Sequence, residues 1–358
     1  MSFSDVYVQK RTAKNVFYNH INTIISWQSI ENEINKNYTI GKSAVGNQSY
    51  SGLLLFKMLL IGVWNGSLSD RLVEEMVIEN LSAMNFCGLR LEDQVPDHTR
   101  LSRFRTILTE KKAFEPIMNL INDQLNNHGI IVKTGLKIDA TITDSPRKPK
   151  KKTTFELAED RKEDELTKDQ IDLQTSELKL VKVIEPGVDI EARWIKKAGK
   201  THYGFKKHIG TDENGLVLSL ITTAANQHDS IPFESLIEKA DLPKKANIYA
   251  DKAYKSKKHD QLLKDRKFKN RVHHKATKGK PLTEWQVKFN KQVSKFRYTV
   301  ERTFGSNIRW FKAGVAKYVG LAKTHTQHIL ESIAYNLKRS PVLVVELQMS
   351  KKSTIKNI

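Results

Sequence analysis

The eight residues Leu136-Lys-Ile-Asp-Ala-Thr-Ile-Thr143 constrain this chain more than any others. They follow Gly135 and end just before Ser145-Pro146, so turn residues bound them on both sides. Their period is two. Ile138, Ala140 and Ile142 share one face of a strand, and Asp139, Thr141 and Thr143 share the other. An acid at the centre of a short strand is unusual, because Asp is depleted in strands and costly to bury alone. Either the face is open to water and Asp139 is an ordinary surface residue, or a lysine, another cation or a metal ion compensates it.

The chain has 358 residues, enough for two or three domains and a sizeable core. Hydrophobic residues make up 39%, which leaves room for polar insertions. A formal net charge of +20 favours a polyanionic partner, most simply nucleic acid, although ribosomal and membrane-surface proteins share the bias. The single cysteine, Cys87, excludes an intramolecular disulfide and a cysteine-based zinc site and fits a reducing cytoplasm. Residues 1–15 are polar and mixed in charge, without a signal-peptide core. The longest apolar run, residues 53–64, is interrupted by Lys57 and is too short to span a bilayer. The expectation is a soluble cytoplasmic protein without a membrane partner.

Residues 15–132 read as helical. Leu53, Phe56, Leu60 and Val63 form one stripe, Asn65-Gly66 breaks it, and Ser67-Leu-Ser-Asp70 starts a second helix with Leu72, Met76 and Leu81 inward. Pro96-Asp-His-Thr99 opens a third, where Leu101, Phe104 and Leu108 form a stripe and Arg100, Arg103 and Arg105 lie off it. Two short helices, a turn and an Arg-bearing helix suit a helix-turn-helix DNA reader, and a dimerisation bundle has the same pattern. Residues 147–192 are charged and poor in aromatics, from Lys148-Pro-Lys-Lys-Lys152 through Glu156, Glu159, Asp160, Glu163, Asp164 and Glu165. They read as a mobile insertion or a solvated helix.

Order returns near Trp194. Residues 202–210 and 216–223 form a hairpin about Asp212-Glu-Asn-Gly215, followed by a helix over 232–240, a short strand over 247–251 ending in Asp251, a helix over 256–266 and a strand over 268–272. A meander followed by helix-joined strands is consistent with an α/β fold built on a mixed, ribonuclease-H-like sheet behind an N-terminal all-α domain. A long helix starts near Thr283. Its Trp285, Phe289, Val293, Phe296, Val300 and Phe304 are spaced four, four, three, four and four apart and predict a core stripe. Arg297 and Glu301 lie beside it on one face. A last helix over 324–338 stops before Pro341 and leaves a frayed polar tail after Gln348.

Asp139 and Asp251 thus sit on strands, the second at a strand end where ligands of open sheets gather, and Glu301 sits on a following helix. Three carboxylates brought together repel unless cations bind between them. Oxygen ligands select Mg²⁺ or Mn²⁺ over zinc, and two such ions about 4 Å apart activate a nucleophile and stabilise a leaving oxygen in phosphodiester chemistry. Each acid also has a plain reading: a surface residue for Asp139, a helix cap for Asp251, an ion pair with Arg297 for Glu301.

A set of strings along the chain narrows this. They are Tyr50-Ser-Gly-Leu-Leu-Leu-Phe-Lys-Met-Leu-Leu60, Leu68-Ser-Asp-Arg71, Val95-Pro-Asp-His-Thr-Arg-Leu-Ser-Arg-Phe-Arg105, Ile138-Asp-Ala-Thr141, Tyr203-Gly-Phe-Lys-Lys-His208, Ala225-Asn-Gln-His-Asp-Ser230, Tyr249-Ala-Asp-Lys-Ala-Tyr254, Val300-Glu-Arg-Thr-Phe-Gly305 and Tyr318-Val-Gly-Leu-Ala-Lys323. In this order they resemble an insertion-sequence transposase of the DDE class, in the IS-five (InsH-type) family. The resemblance implies a ribonuclease-H-like core in which Asp139, Asp251 and Glu301 are the catalytic acids and hold two Mg²⁺ or Mn²⁺ ions, Asp139 bridging both. It implies cleavage at the element's ends and transfer of the freed 3′-hydroxyl to target DNA, with terminal inverted repeats as substrate and a homo-oligomer on DNA. The family's Glu motif keeps its Arg and Glu here as Arg297 and Glu301, but Ser294 stands where Tyr is expected, and Ile308 where Lys is expected, with Arg309 beside it.

The expected domains are a helical N-terminal domain over 1–132 that binds ends or dimerises, a catalytic domain over 133–323 carrying the insertion at 147–192, and a C-terminal helix and tail over 324–358. Candidate DNA contacts are Arg297, Arg302, Arg309 and Lys206, with Arg100 and Arg103 in the N-terminal domain. His208, His228, Asp229 and Tyr254 are further polar residues near motif positions. The rival readings are a nuclease of the same fold that cuts without joining, an inactive copy that binds repeats and represses, and, last, a basic RNA-binding protein.

Overall fold

A computed structural model of the chain describes residues 13–39, 50–150, 155–157, 180–182 and 186–356; side chains are described within 16–39, 50–150 and 186–347. The first N-terminal residues and most of the charged insertion, including Lys151, Lys152, Glu159, Asp160, Glu163, Asp164 and Glu165, lie outside the described residues.

Among the described residues, seven helices come first: α1 (Ala13–Ile24), α2 (Trp27–Asn37), α3 (Gly52–Trp64), α4 (Asp70–Glu79), α5 (Leu81–Phe86), α6 (His98–Glu110) and α7 (Phe114–Asn127). Local chemistry sets their starts. The side chains of Ser69, Asn80 and Asp97 each accept a backbone N–H in the first turn of α4, α5 and α6. α3 is buried on nearly all sides, so the stripe read from Leu53, Phe56, Leu60 and Val63 is too narrow: Leu54, Leu55, Met58, Leu59 and Ile61 are buried as well. Lys57 is buried too, its ammonium over the Trp27 and Phe86 rings at 4.6 and 4.9 Å. On α4 the buried residues are Val73 and Val77, Met76 packs against the same core as expected, and Leu72 is exposed. The Asn80 cap starts α5 one residue before Leu81, which moves that leucine out of the face assigned to it.

The sheet joins β1 (Gly135–Asp144), β4 (Arg193–Lys197), β5 (Lys200–Thr211), β6 (Val217–Ala224), β7 (Asn247–Ala250) and β8 (Lys269–Val272). Its spatial order is β6-β5-β1-β7-β8, with β4 paired to the start of β5. β1, β5 and β6 run antiparallel as a meander, whereas β7 and β8 run parallel to β1. This is the ribonuclease-H-like arrangement. Within the insertion, β2 (Phe155–Leu157) and β3 (Leu180–Lys182) pair antiparallel as a separate ladder.

Alternation along β1 sends Lys137, Asp139 and Thr143 to the side covered by α10 (Glu284–Phe311) and α11 (Leu321–Lys356). α8 (Phe233–Ala240) packs across β1, β5 and β6, and α9 (Lys257–Asp265) lies beside β8. One continuous core runs from Ile21 of α1 through α3 to Ile138 of β1, Val300 of α10 and Ile333 of α11.

Two expectations fail here. The stripe on α10 is a core stripe only in part: Val293, Val300 and Phe304 are buried, but Trp285 and Phe296 are exposed. And α11 does not stop before Pro341; it continues to Lys356. Proline removes the N–H that Leu337 O would accept, and the Ser340 hydroxyl supplies that bond instead at 2.9 Å.

Candidate active site

Asp139 and Asp251 come together through strand register. β1 and β7 pair in parallel with Lys137 opposite Tyr249. Carried on by two residues, that register sets Asp251 across from Asp139 on the neighbouring strand, where strands run about 5 Å apart. Asp251 caps the short turn Lys252–Tyr254, its Oδ1 accepting from Ala253 N at 2.9 Å, whereas the helix that follows is capped by Ser256. The two roles coexist.

Asp139 is half-buried. Its Oδ1 accepts from Ala140 N at 2.9 Å, and its Oδ2 lies 3.1 Å from Arg297 Nη2. Burial pushes its carboxyl above the usual range, Arg297 opposes the shift, and the charge of Asp251 adds to it. Arg297 therefore pairs with Asp139 across the sheet and not with Glu301 along its own helix.

Among the described residues, the buried Tyr254 hydroxyl and Arg297 Nε beside this pair have no hydrogen-bond partner. Burial, and after it the Asp139 carboxylate, hold the Tyr254 phenol well above its ordinary value. His273, directly after β8, lies 3.3 Å through Nε2 from Ser294 Oγ. Burial and then Arg297 lower its pKa, and Asp251 acts in the opposite direction. No motif in the chain singled out His273; the one signal was its place just past a strand parallel to the Asp251 strand.

Glu301 stands elsewhere. It is exposed on α10, one turn beyond Arg297 and hence about 6 Å further along the axis. That turn packs at the start of β1, where Lys137 Nζ meets Thr299 Oγ1 at 3.2 Å and Thr303 donates to Gly215 O at 2.8 Å. Among the described residues no group of three or more Asp, Glu, His or Cys side chains is placed to share an ion. The fit to a divalent cation therefore rests on Asp139 and Asp251. They offer hard oxygen donors, and a guanidinium already supplies positive charge at Asp139.

The basic candidates divide. Lys206 is buried, its ammonium 2.7 Å from both Asp229 Oδ1 and Gln227 O, so it faces the protein and not a DNA backbone. His208 is buried against Thr223 Oγ1 at 2.9 Å, and burial lowers its pKa to about 4. Arg105, expected on the surface, is buried in a two-bond pair with Asp70 at 2.6 and 2.7 Å. Arg103, Arg302 and Arg309 are exposed. Arg302 holds Asn214 O at 2.9 Å, and Arg100 lies 5.5 Å from the Tyr50 ring centre.

A ribonuclease-H-like sheet with carboxylates side by side on its central strand and the parallel neighbour is the framework of metal-dependent phosphoryl transfer on nucleic acids. Comparison with known proteins narrows the class. Residues 133–337 match the family model described as Transposase DDE domain, and residues 6–106 match the one described as Transposase domain (DUF772). Over 240 residues, 66% of this chain and 76% of the relative, the chain is 35% identical to the transposase for insertion sequence element IS1106 of Neisseria meningitidis serogroup B. No solved structure matches it. The chain belongs to the DDE transposases of insertion sequences, metal-dependent enzymes that act on DNA. Among the described residues, no helix is long and apolar enough to cross a membrane.

Proposed function

We propose that this transposase binds the terminal inverted repeats of its own element, cleaves the element ends and joins the freed 3′-hydroxyls to target DNA. The observation that carries the reading is the adjacency of Asp139 and Asp251, which the register of β1 and β7 supports. Asp139, Asp251 and Glu301 would hold two Mg²⁺ or Mn²⁺ ions. Such ions, when bound, activate the attacking water or hydroxyl and offset charge on the leaving oxygen.

The chain's own groups act around them. Arg297, 3.1 Å from Asp139, opposes the rise that burial imposes on its carboxyl. The Tyr254 hydroxyl, buried and without a partner, is free to donate to a phosphate oxygen. The helical domain over 1–132, with Arg100 and Arg103, binds the ends or mediates dimerisation, while Arg302 and Arg309 hold the DNA backbone. Bringing two ends together calls for an oligomer, acting on chromosomal DNA in the cytoplasm.

The test uses a plasmid carrying the DNA that flanks the coding region, incubated with protein and Mg²⁺ or Mn²⁺. Cuts at fixed positions, lost in Asp139→Asn, Asp251→Asn and Glu301→Gln, with precleaved ends joined to target DNA, support the reading. That no third carboxylate among the described residues is placed to share an ion with the pair favours one rival, a copy that binds ends without cutting. Stable binding with no cuts in either metal would decide for it.

A further inference from the structure

A line of hydrogen bonds runs from the surface seam between α7 and α8 to the strand that carries Asp139. Lys239 of α8 donates to Glu115 Oε1 of α7 at 2.8 Å, and His325 Nε2 of α11 lies 2.9 Å from the same oxygen. On the other side of its ring, His325 Nδ1 lies 2.9 Å from Thr222 Oγ1 of β6. Thr222 Oγ1 is also 2.8 Å from His328 Nδ1, and His328 Nε2 is 2.9 Å from Thr143 Oγ1 of β1. Thr143, Thr222 and His328 are buried, whereas the His325 and Glu115 side chains are 24% and 40% exposed. Water therefore reaches the line at its outer end.

Donor counting fixes the direction of the line. The His325 bond, and then Lys239 against the opposing effect of burial, hold Glu115 down to about 2, so its carboxylate only accepts. His325 Nε2 must then carry a proton. In neutral His325 the lone pair is on Nδ1, which accepts from the Thr222 hydroxyl. A hydroxyl has one proton, so Thr222 Oγ1 accepts from His328 Nδ1–H. Burial, and after it the charge of Lys207, lower the His328 pKa well below the ordinary value and keep the ring neutral. Its Nε2 therefore accepts from Thr143. Every proton in the line points outward, toward Glu115.

A positive charge on His325 upsets this order. Both of its ring nitrogens then donate, and Nδ1–H points at Thr222. If His328 kept its tautomer, two N–H groups, one of them charged, would converge on Thr222 Oγ1. In the other tautomer Thr222 donates to His328 Nδ1, and His328 donates through Nε2 to Thr143. The same pairs stay bonded either way, and one threonine proton is left over either way. Electrostatics decides between them: in a buried, low-dielectric site the neutral ring turns its lone pair, not its N–H, toward the cation, and the bonds again run in one direction. The charged and titratable groups facing His325 are Glu115 and Lys239; those facing His328 are Lys207, His325 and His208, with Lys207 paired to Glu331 at 3.0 Å.

We propose that His325, Thr222 and His328 form a proton-driven switch, in which charging of His325 turns His328 from its Nδ1–H to its Nε2–H tautomer. His325 gains one proton from water; His328 loses one at Nδ1 and gains one at Nε2, with no net change. The line ends at Thr143, four residues past Asp139 on the same face of β1, so acidity at the seam between helices and sheet is reported to that strand. The switch does not depend on the metal reading of Asp139 and Asp251.

The test is a pH series of two-bond ¹⁵N–¹H correlation spectra on protein labelled in its 11 histidines, with His325→Gln and His328→Gln assigning the two rings. Circular dichroism defines the pH range in which the chain is folded. While His325 is neutral, His328 should show a protonated Nδ1 and a bare Nε2. As His325 charges, the two His328 signals should exchange character with the same midpoint. Thr222→Val keeps the shape and removes the hydroxyl, so His325 should still titrate while His328 holds one tautomer throughout; Thr222→Ser should restore the coupling. A protonated Nε2 on His328 at high pH would overturn the proposal. So would a His328 tautomer unchanged as His325 charges, a doubly protonated His328, a switch that persists in Thr222→Val, or a His325 that stays neutral until the chain unfolds.

Discussion

Replacing Arg297 by Met removes the guanidinium that compensates Asp139. At 3.1 Å and an effective dielectric of about 20, the attraction between the pair is about 5 kcal/mol before desolvation is charged against it. Removing one partner of a buried pair costs about 3–5 kcal/mol, because the other charge is left behind. The Asp139 side chain is 22% exposed, which puts the loss near the lower figure. The pH dependence follows from the sign of the shift. Asp139 already titrates above its ordinary value, and losing Arg297 raises it further. A carboxyl raised in the folded state contributes its stability below the unfolded value, about 3.9, and loses it as pH rises through the folded value. The deficit of Arg297→Met is therefore small near pH 4 and full at neutral pH. Urea unfolding in EDTA at both pH values measures it. Added Mg²⁺ should then stabilise the variant more than the wild type, since the ion no longer competes with a guanidinium; at 100 times its dissociation constant a ligand adds about 2.7 kcal/mol. A neutral-pH loss below about 1 kcal/mol, or equal Mg²⁺ gains in both proteins, would refute the assignment of Arg297 as the cation that stands at Asp139.

Three further outcomes are expected. Lys207 and Glu331 form an ion pair at 3.0 Å with both side chains 2% exposed, so Glu331→Leu alone should cost about 3–5 kcal/mol, and adding Lys207→Met should recover most of it in chemical denaturation. His208, held down to about 4 by burial, contributes its stability above the ordinary histidine value near 6.5 and loses it as pH falls toward 4, roughly 3 kcal/mol in all; His208→Gln should flatten that limb of the stability curve. Ser340→Ala leaves Leu337 O without its donor above Pro341 and should cost about 1 kcal/mol in thermal unfolding, with Ser340→Thr restoring it.

What the sequence made legible, and what it hid, follows from which interactions are local. Strand alternation around Asp139 and the position of Asp251 at a strand end are properties of short segments, and both carried through to the structure. The helix starts at Asp70, His98 and Glu284 were legible for the same reason, since each depends on a cap within a few residues. Periodicity gives a face but not what covers it. Trp285 and Phe296 belong to the same stripe as Val300 and Phe304, yet only the last two are buried; Phe296 stacks on Tyr249 of β7 and stays half exposed. The swap of Leu72 for Val73 on α4 is a similar rotation of a face by one position. The partner of Arg297 was hidden because its helix neighbour Glu301 is four residues away in sequence, whereas Asp139 is brought to it by tertiary packing. Burial of Lys206 and Arg105 was hidden likewise: their acids, Asp229 and Asp70, lie 23 and 35 residues away.

The most direct test of the central claim, that Asp139 and Asp251 form the metal site, is iron-directed cleavage of the chain itself. Fe²⁺ is substituted for Mg²⁺ in the presence of ascorbate and peroxide, and the backbone cuts made by locally generated radicals are mapped by mass spectrometry. The account predicts cuts beside residues 139 and 251, suppressed by excess Mg²⁺ and lost in Asp139→Asn. Cuts confined to other segments, or a pattern unchanged in Asp139→Asn, would contradict it.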